Sequence, residues 1–388
     1  MSARIVVTGI GVVCSAGDDL TSLVESVSRG ASCLSRIEDP RVAHLTARYA
    51  GLIPDFQTAS SPNSSKTPLD RFVALAAAAA ASALSSASVT DDFRLRMGIV
   101  CATCSGPMQS IEAYYGRRLT EFPELDDSEF FATRYYSASR LLAHLCGIEG
   151  INVTVTTACS ASINAIATAA NLIRTGMIDG ALVGGSDAFS LTTLAGFDGV
   201  KATTPGLCAP FSSPAGMNLG EGAGFLVIES YETAAARGAE IFAEVLGYGT
   251  SNDAYHCTSP DPSGKGQAAA MLRALKAAGM DSAHIGYVGG HGTGTEANDR
   301  AETKAVRRVF GDRSDLMMSS LKPVVGHCLG AAGAIELIGT IGCARDGIVP
   351  PTGNFTIPRE GCNVDAVSES GTPWPAFPAF LKNNFATE

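Results

Sequence analysis

Apolar and polar positions divide the chain into alternating strands and helices. Ala3-Arg4-Ile5-Val6-Val7-Thr8-Gly9-Ile10-Gly11 reads as a buried strand entering a glycine turn, and Asp18 is placed to cap a helix over about 19–28. Residues 30–66, rich in Ser, Ala and Pro, read as a surface excursion; a helix over 67–87, a strand near 97–104 and helical stretches near 108–119 and 134–146 follow. In 151–176, Ile151, Val153 and Val155 alternate with polar residues, and Thr156-Thr157-Ala158-Cys159 then leads into an Ala/Ile/Leu-rich run with helical spacing. A strand therefore runs straight into a helix with a cysteine at the joint. Gly180 to Ser186 forms a short buried strand, 197–218 a loop, and the glycines of 218–224 feed another strand. From about 231 the pattern restarts: helix, strand 241–249, a Pro/Gly/His loop over 252–264, helix 266–279, strand 285–289, helix 297–309, strand 316–320, helix 329–345. This alternation predicts an α/β fold with largely parallel or mixed sheets in two halves, 1–235 and 236–388.

Composition narrows the class. A chain of 388 residues can bury a substantial core, and 46% hydrophobic content with 17% charge and 42 glycines describes a turn-rich α/β protein, not a fibrous or disordered one. The net charge of −10 argues against general binding to nucleic acid or to an anionic membrane. Eleven cysteines without framework spacing, and no secretory signal before them, predict free thiols in a reducing cytoplasm. Cys101 and Cys104 form a lone CxxC with no second pair and no histidine nearby, so a strand end is preferred over zinc, and no metal is expected. The most apolar run, Phe72 to Leu84, is mostly alanine and too short to span a bilayer.

The chemistry-bearing residues sit at the joints. A thiol at a helix N-terminus lies beside unpaired backbone N–H groups and the positive end of the helix dipole, which favour thiolate. From that stretch alone, a reactive nucleophile and a buried cysteine acting as a small hydrophobe remain equally open for Cys159. Gly9-x-Gly11 carries Cys14 where a dinucleotide fingerprint needs its third glycine, and the 220–224 glycines lack the Lys-Ser/Thr of a phosphate loop. Ser186 has Ala188 where a nucleophile elbow needs glycine. His291 lies in Gly289-Gly290-His291-Gly292-Thr293-Gly294-Thr295 at the carboxyl end of a strand, and His327 closes Lys322-Pro323-Val324-Val325-Gly326-His327 before a small-residue helix. Each alone suits a structural role; with Cys159 they make the Cys-His-His set that covalent acyl transfer requires.

Five stretches carry a family resemblance: Val6 to Gly11, Thr157-Ala158-Cys159-Ser160, Asn218 to Gly224, His291 to Thr295 with Asn298-Asp299, and Lys322 to Gly333. They run in order from residue 5 to about 384 and resemble the elongating, type II β-ketoacyl-acyl carrier protein synthases of the thiolase superfamily. The resemblance implies a thiolase-like five-layer αβαβα core of two pseudo-repeated halves, with Cys159 as acyl acceptor. It implies that His291 and His327 donate hydrogen bonds to the thioester carbonyl of a malonyl extender, and that Lys322, paired with Glu336, orients His327 and sets local charge. Thr293 and Thr295 would hold the pantetheine arm, and Phe197 would help to shape the acyl tunnel. The implied reaction is decarboxylative condensation with malonyl-acyl carrier protein in fatty acid, polyene or polyketide synthesis, without a cofactor. Chain-length-factor subunits resemble the same fold but lack the nucleophilic cysteine, so Cys159 with both histidines favours catalysis. The implied partners are an acidic acyl carrier protein and a second subunit, in a homodimer or a ketosynthase-like heterodimer. Lys66, Arg71, Arg117 and Arg118 are the candidate docking cations. Relatives continue into a glycine-rich Asn-x-Phe-Gly-Phe-Gly-Gly loop and one more strand, whose Phe N–H completes the oxyanion hole; here the sequence runs only to Lys382-Asn383-Asn384-Phe385-Ala386-Thr387-Glu388. The expectation is therefore a second half that lacks the loop and strand.

Overall fold

The computed structural model describes residues 3–54, 56, 60–61, 64–121, 134–364 and 366–386; side chains of 60–68 and of residue 121 lie outside that set. Two sheets organise them. The larger runs in the order Ala243–Val245, Ile5–Cys14, Gly222–Ser230, Gly180–Asp187, Met97–Ala102 and Asn152–Val155. Its first four strands pair antiparallel and its last three parallel. The smaller sheet is wholly parallel, in the order Met317–Ser319, Ile285–Gly289 and Ala379–Lys382. Strand Ala243–Val245, which follows residue 235 in sequence, thus completes the edge of the larger sheet.

Burial explains the layering. Ile5 to Cys14 and Gly180 to Asp187 are buried at every position, so both faces of those strands need cover. One face packs on helices Arg71–Ser86 and Ser137–Cys146, through Phe72, Leu75 and Leu142. The other packs on helices Ala161–Arg174 and Ala332–Arg345, through Ala165, Ala169, Ile335 and Ile338. Helix Ala332–Arg345 is buried over most of its circumference because the smaller sheet lies on its far side. Helices Lys265–Ala278 and Glu296–Phe310 close that sheet through Met271, Leu275, Val306 and Phe310. Helix, sheet, helix, sheet and helix follow one another, as the resemblance implies.

Local details depart from the sequence pattern. Helix Leu20–Arg29 is capped by Asp19, whose carboxylate accepts from Ser22 N at 2.7 Å, and not by Asp18. The opening strand runs on to Cys14, through the glycines expected to form a turn. A Cβ at Gly9 would lie 2.3 Å from Ala83 O, and one at Gly11 would lie 2.0 Å from Ala79 O. These glycines let the strand seat directly on helix Arg71–Ser86. Residues 191–199 form a helix capped by Ser190, which takes in 197–199, the start of the stretch expected as a loop.

Candidate active site

Three strand ends converge. Strand Asn152–Val155 ends three residues before Ala158, which takes a left-handed backbone (φ 47°) and so turns the chain sharply into helix Ala161–Arg174. Ser160 Oγ donates to Thr157 O at 2.8 Å, and Asn164 Nδ2 to Thr157 Oγ1 at 2.8 Å, which fixes the turn. Cys159 sits at its apex, buried, while Ala158 and Ser160 line an open cleft. The Cys159 thiol is pulled well below its usual range by a hydrogen bond from Cys104; burial opposes this, and His327 and Lys322 add to it. The helix dipole acts in the same direction.

His327 Nε2 lies 3.1 Å from Cys159 Sγ. The backbone of His327 is held like a strand residue: its N–H donates to Asn218 O at 2.8 Å and its carbonyl accepts from Gly220 N at 3.0 Å. The stretch Asn218 to Gly220 thus serves as a rail for the histidine. The His291 ring stands nearly perpendicular to that of His327, with centroids 5.4 Å apart. Burial and the cations of Lys322 and Lys382, with His327, push His291 far below the usual imidazole range, so it is neutral. Lys322 Nζ faces His291 Nδ1 at 3.5 Å. An ammonium can only donate, so Nδ1 is the acceptor and the imidazole proton sits on Nε2.

The Lys322–Glu336 pair forms as expected, at 2.6 Å and almost wholly buried. Its contact differs from the expectation: Lys322 Nζ donates to His291 O and faces the His291 ring, so the pair braces His291 instead of orienting His327. A second ammonium shares the carboxylate. Lys382 Nζ lies 2.7 Å from Glu336 Oε2 and donates to Gly290 O at 2.9 Å. Burial raises Glu336, but the two cations outweigh it and hold the carboxyl below its usual range; burial lowers Lys382. Glu302 accepts from His291 N at 2.6 Å, Gly292 N at 2.8 Å and Asn383 Nδ2 at 2.7 Å, while Asp299 accepts from Phe211 N at 2.7 Å. The histidine loop is therefore strung on carboxylates of helix Glu296–Phe310.

The other predicted residues divide. Thr293 and Thr295 lie in the histidine loop with their hydroxyls 2.8 Å apart. Phe197 packs with Leu194, Met217 and Leu219 against the cluster that contains Leu329. Arg71 is not a surface cation: its guanidinium grips Glu221 at 2.8 and 2.7 Å and also donates to Phe56 O, so it is removed from the docking set. Arg117 and Arg118 are exposed on helix Met108–Glu121, and the Lys66 side chain lies outside the described residues.

Sequence reasoning passed over Cys104, Asp187, Glu302 and Lys382. Cys104 had the CxxC spacing as its signal, dismissed for want of a metal partner. Glu302 lies three residues, one helical turn, after Asp299. Asp187 and Lys382 have no local pattern, because their partners are far away in sequence. Segment Asn383 to Ala386 reaches the nucleophile, with Asn384 Nδ2 3.4 Å from Cys159 O.

A thiolate at a helix start beside two imidazoles is the equipment of a condensing enzyme, and the comparisons agree. Residues 2–234 match the family described as beta-ketoacyl synthase, N-terminal domain, and 242–356 match its C-terminal domain. The chain is 37% identical over 374 residues to nodulation protein E of Rhizobium sp. (strain N33), covering 94% of this chain and 92% of that one. It is 35% identical over 379 residues to 3-oxoacyl-(acyl-carrier-protein) synthase 2 of Vibrio harveyi, covering 94% and 91%. Its fold matches the ishigamide ketosynthase/chain length factor with a TM-score of 0.88 at 33% identity, over 95% of this chain and 93% of that one. Motifs, fold and site geometry agree, and the chain belongs to the β-ketoacyl synthase family.

Proposed function

We propose that the protein carries out decarboxylative Claisen condensation on acyl carrier protein thioesters, in fatty acid, polyene or polyketide synthesis. The Cys159 thiolate attacks the carbonyl of an incoming acyl thioester; the carrier thiolate leaves and takes up a proton, and the acyl group stays on sulfur. A malonyl carrier then enters. Its α-carbon to carboxylate bond breaks, carbon dioxide leaves, and the electron pair passes into an enolate whose oxygen meets the N–H donors of His291 and His327. The enolate carbon attacks the Cys159 acyl carbonyl, and collapse of that adduct expels the Cys159 thiolate and releases a β-ketoacyl carrier. The reaction needs no cofactor.

The 3.1 Å approach of His327 Nε2 to Cys159 Sγ, with neutral His291 alongside, carries this reading. A partner subunit with no catalytic task has no use for it. Thr293 and Thr295 hold the pantetheine arm, and Phe197 helps to bound the acyl chain. The protein works with a second copy of itself or with a ketosynthase-like partner, in the cytoplasm, where its eleven free cysteines stay reduced. No described helix is long and apolar enough to cross a membrane. Incubation with labelled acyl-acyl carrier protein, followed by mass spectrometry, tests the reading: one acyl group is expected on Cys159. Product formation is expected to vanish in Cys159→Ala. Absence of the adduct, with product formation unchanged in Cys159→Ala, would overturn it.

A further inference from the structure

Asp187 ends the central strand Gly180–Asp187 and is fully buried. Its carboxylate has no ion-pair partner among the described residues and is satisfied by four donors. Oδ1 accepts from Thr103 Oγ1 and Ser105 N, each at 2.8 Å; Oδ2 accepts from Cys104 N at 2.8 Å and Gly330 N at 2.7 Å. Burial raises the acid, and these hydrogen bonds oppose the rise. A buried carboxylate without a cation is a costly device, so what it holds matters.

It holds both sides of the nucleophile. Cys104 lines the cleft beside the Cys159 turn, and Gly330 lies one turn after His327, whose Nε2 lies 3.1 Å from the Cys159 sulfur. The rail at Asn218 and Gly220 holds the N–H and carbonyl of His327 itself; Gly330 anchors the chain that follows it. The two loops meet so closely that a Cβ at Gly330 would lie 2.6 Å from Cys104 N and 2.8 Å from Asp187 Oδ2. We propose that Asp187 is a positioning residue for acyl transfer: through the backbone of Cys104 and Gly330 it clamps together the loop beside the Cys159 turn and the loop that carries His327, whose ring holds the Cys159 sulfur. The inference rests on Cys159 being the acyl acceptor.

The sign of one measurement separates positioning from simple electrostatics. Removing a negative charge near a thiol favours thiolate, so a purely electrostatic role for Asp187 predicts that Asp187→Asn lowers the pH at which Cys159 ionises. A positioning role predicts the reverse. Whichever way it turned, the amide NH2 would confront at least one backbone N–H donor, Ser105 N or the pair Cys104 N and Gly330 N, so the clamp would loosen and the His327 contact with Cys159 would weaken. The experiment follows iodoacetamide alkylation of Cys159 against pH in the full-length protein, read by mass spectrometry of the Cys159 peptide. The expected result is an upward shift of about one pH unit in Asp187→Asn, with alkylation roughly tenfold slower at pH values well below the wild-type midpoint. An unchanged or lowered midpoint in Asp187→Asn overturns the proposal, whatever happens to its melting temperature. If that variant does not fold, Thr103→Val takes its place; a smaller upward shift supports the proposal and no shift overturns it. Alkylation needs no carrier, so this result stands apart from whether Cys159 accepts an acyl group.

Discussion

At the scale of single residues, the site separates charge from neutrality over a few ångströms. Cys159 is drawn toward thiolate by the Cys104 hydrogen bond and by His327 and Lys322, while His291, between Lys322 and Lys382, is kept neutral. Both shifts point downward, with opposite results: the acid gains charge and the base loses it. An ordinary thiol titrating near 8.5 loses roughly twentyfold in alkylation rate between pH 9 and pH 7. Cys159, whose thiolate survives to lower pH, is expected to lose clearly less over that interval, and Lys322→Met is expected to restore part of the slope. In the proposed reaction His291 serves the other half-reaction. With its proton on Nε2, it can stabilise an enolate but has no contact that activates the sulfur. In His291→Ala, release of carbon dioxide from malonyl carrier is expected to fall about 100- to 1,000-fold, the usual cost of losing an oxyanion donor. The Cys159 acyl adduct is expected to form as before; equal loss of both would assign His291 to acylation.

At the scale of elements, the strand–helix joints that carry Cys159 and the histidines are what the sequence displays openly, because hydrophobic periodicity changes there from two to 3.6. Strand Ile285–Gly289 and the Cys159 turn both fall where pattern alone places them. What pattern could not supply is which element faces which. Arg71 begins a helix and looks like a solvent cation, but the fold brings Glu221 from 150 positions away to meet it. Lys322 was expected against His327, five residues on, and instead meets His291, 31 positions back. The glycines of strand Ile5–Cys14 look like a turn because sequence does not reveal that helix Arg71–Ser86 crosses directly above them. That crossing has a measurable consequence. In Gly11→Ala the new methyl would overlap Ala79 O, and the helix must lift away from the sheet. Overpacking of this kind costs about 1–3 kcal/mol. Calorimetry is expected to show a lower melting temperature, with Cys159 alkylation at saturating pH unaffected.

At the scale of the whole molecule, a chain of net charge −10 faces the acidic acyl carrier protein that the family resemblance implies. General attraction is therefore ruled out, and docking falls to local positive charge near the mouth of the site. With Arg71 committed to Glu221, the described candidates are Arg117 and Arg118, exposed on helix Met108–Glu121. The same helix carries Ser110, whose backbone N–H donates to Asp70 Oδ2 at 3.1 Å, and Asp70 caps helix Arg71–Ser86. The helix is thus anchored at its start, while Arg117 and Arg118, toward its other end, are exposed. A carrier held there would feel charge without disturbing the Cys159 turn. Reversing both charges, Arg117→Glu with Arg118→Glu, is expected to raise the Michaelis constant for acyl carrier protein severalfold. Raising the salt concentration is expected to do the same to the wild type and to have little further effect on the variant, because screening acts on a contact the variant has already lost. Alkylation of Cys159 by a small reagent is expected to match the wild type in both cases. Arg71→Ala makes the contrast. It leaves Glu221 buried without its cation, a loss of about 3–5 kcal/mol for a buried pair, so its effect is expected in melting temperature and not in the salt dependence of carrier binding. A salt response unchanged by the double reversal would place the carrier on another face of the protein.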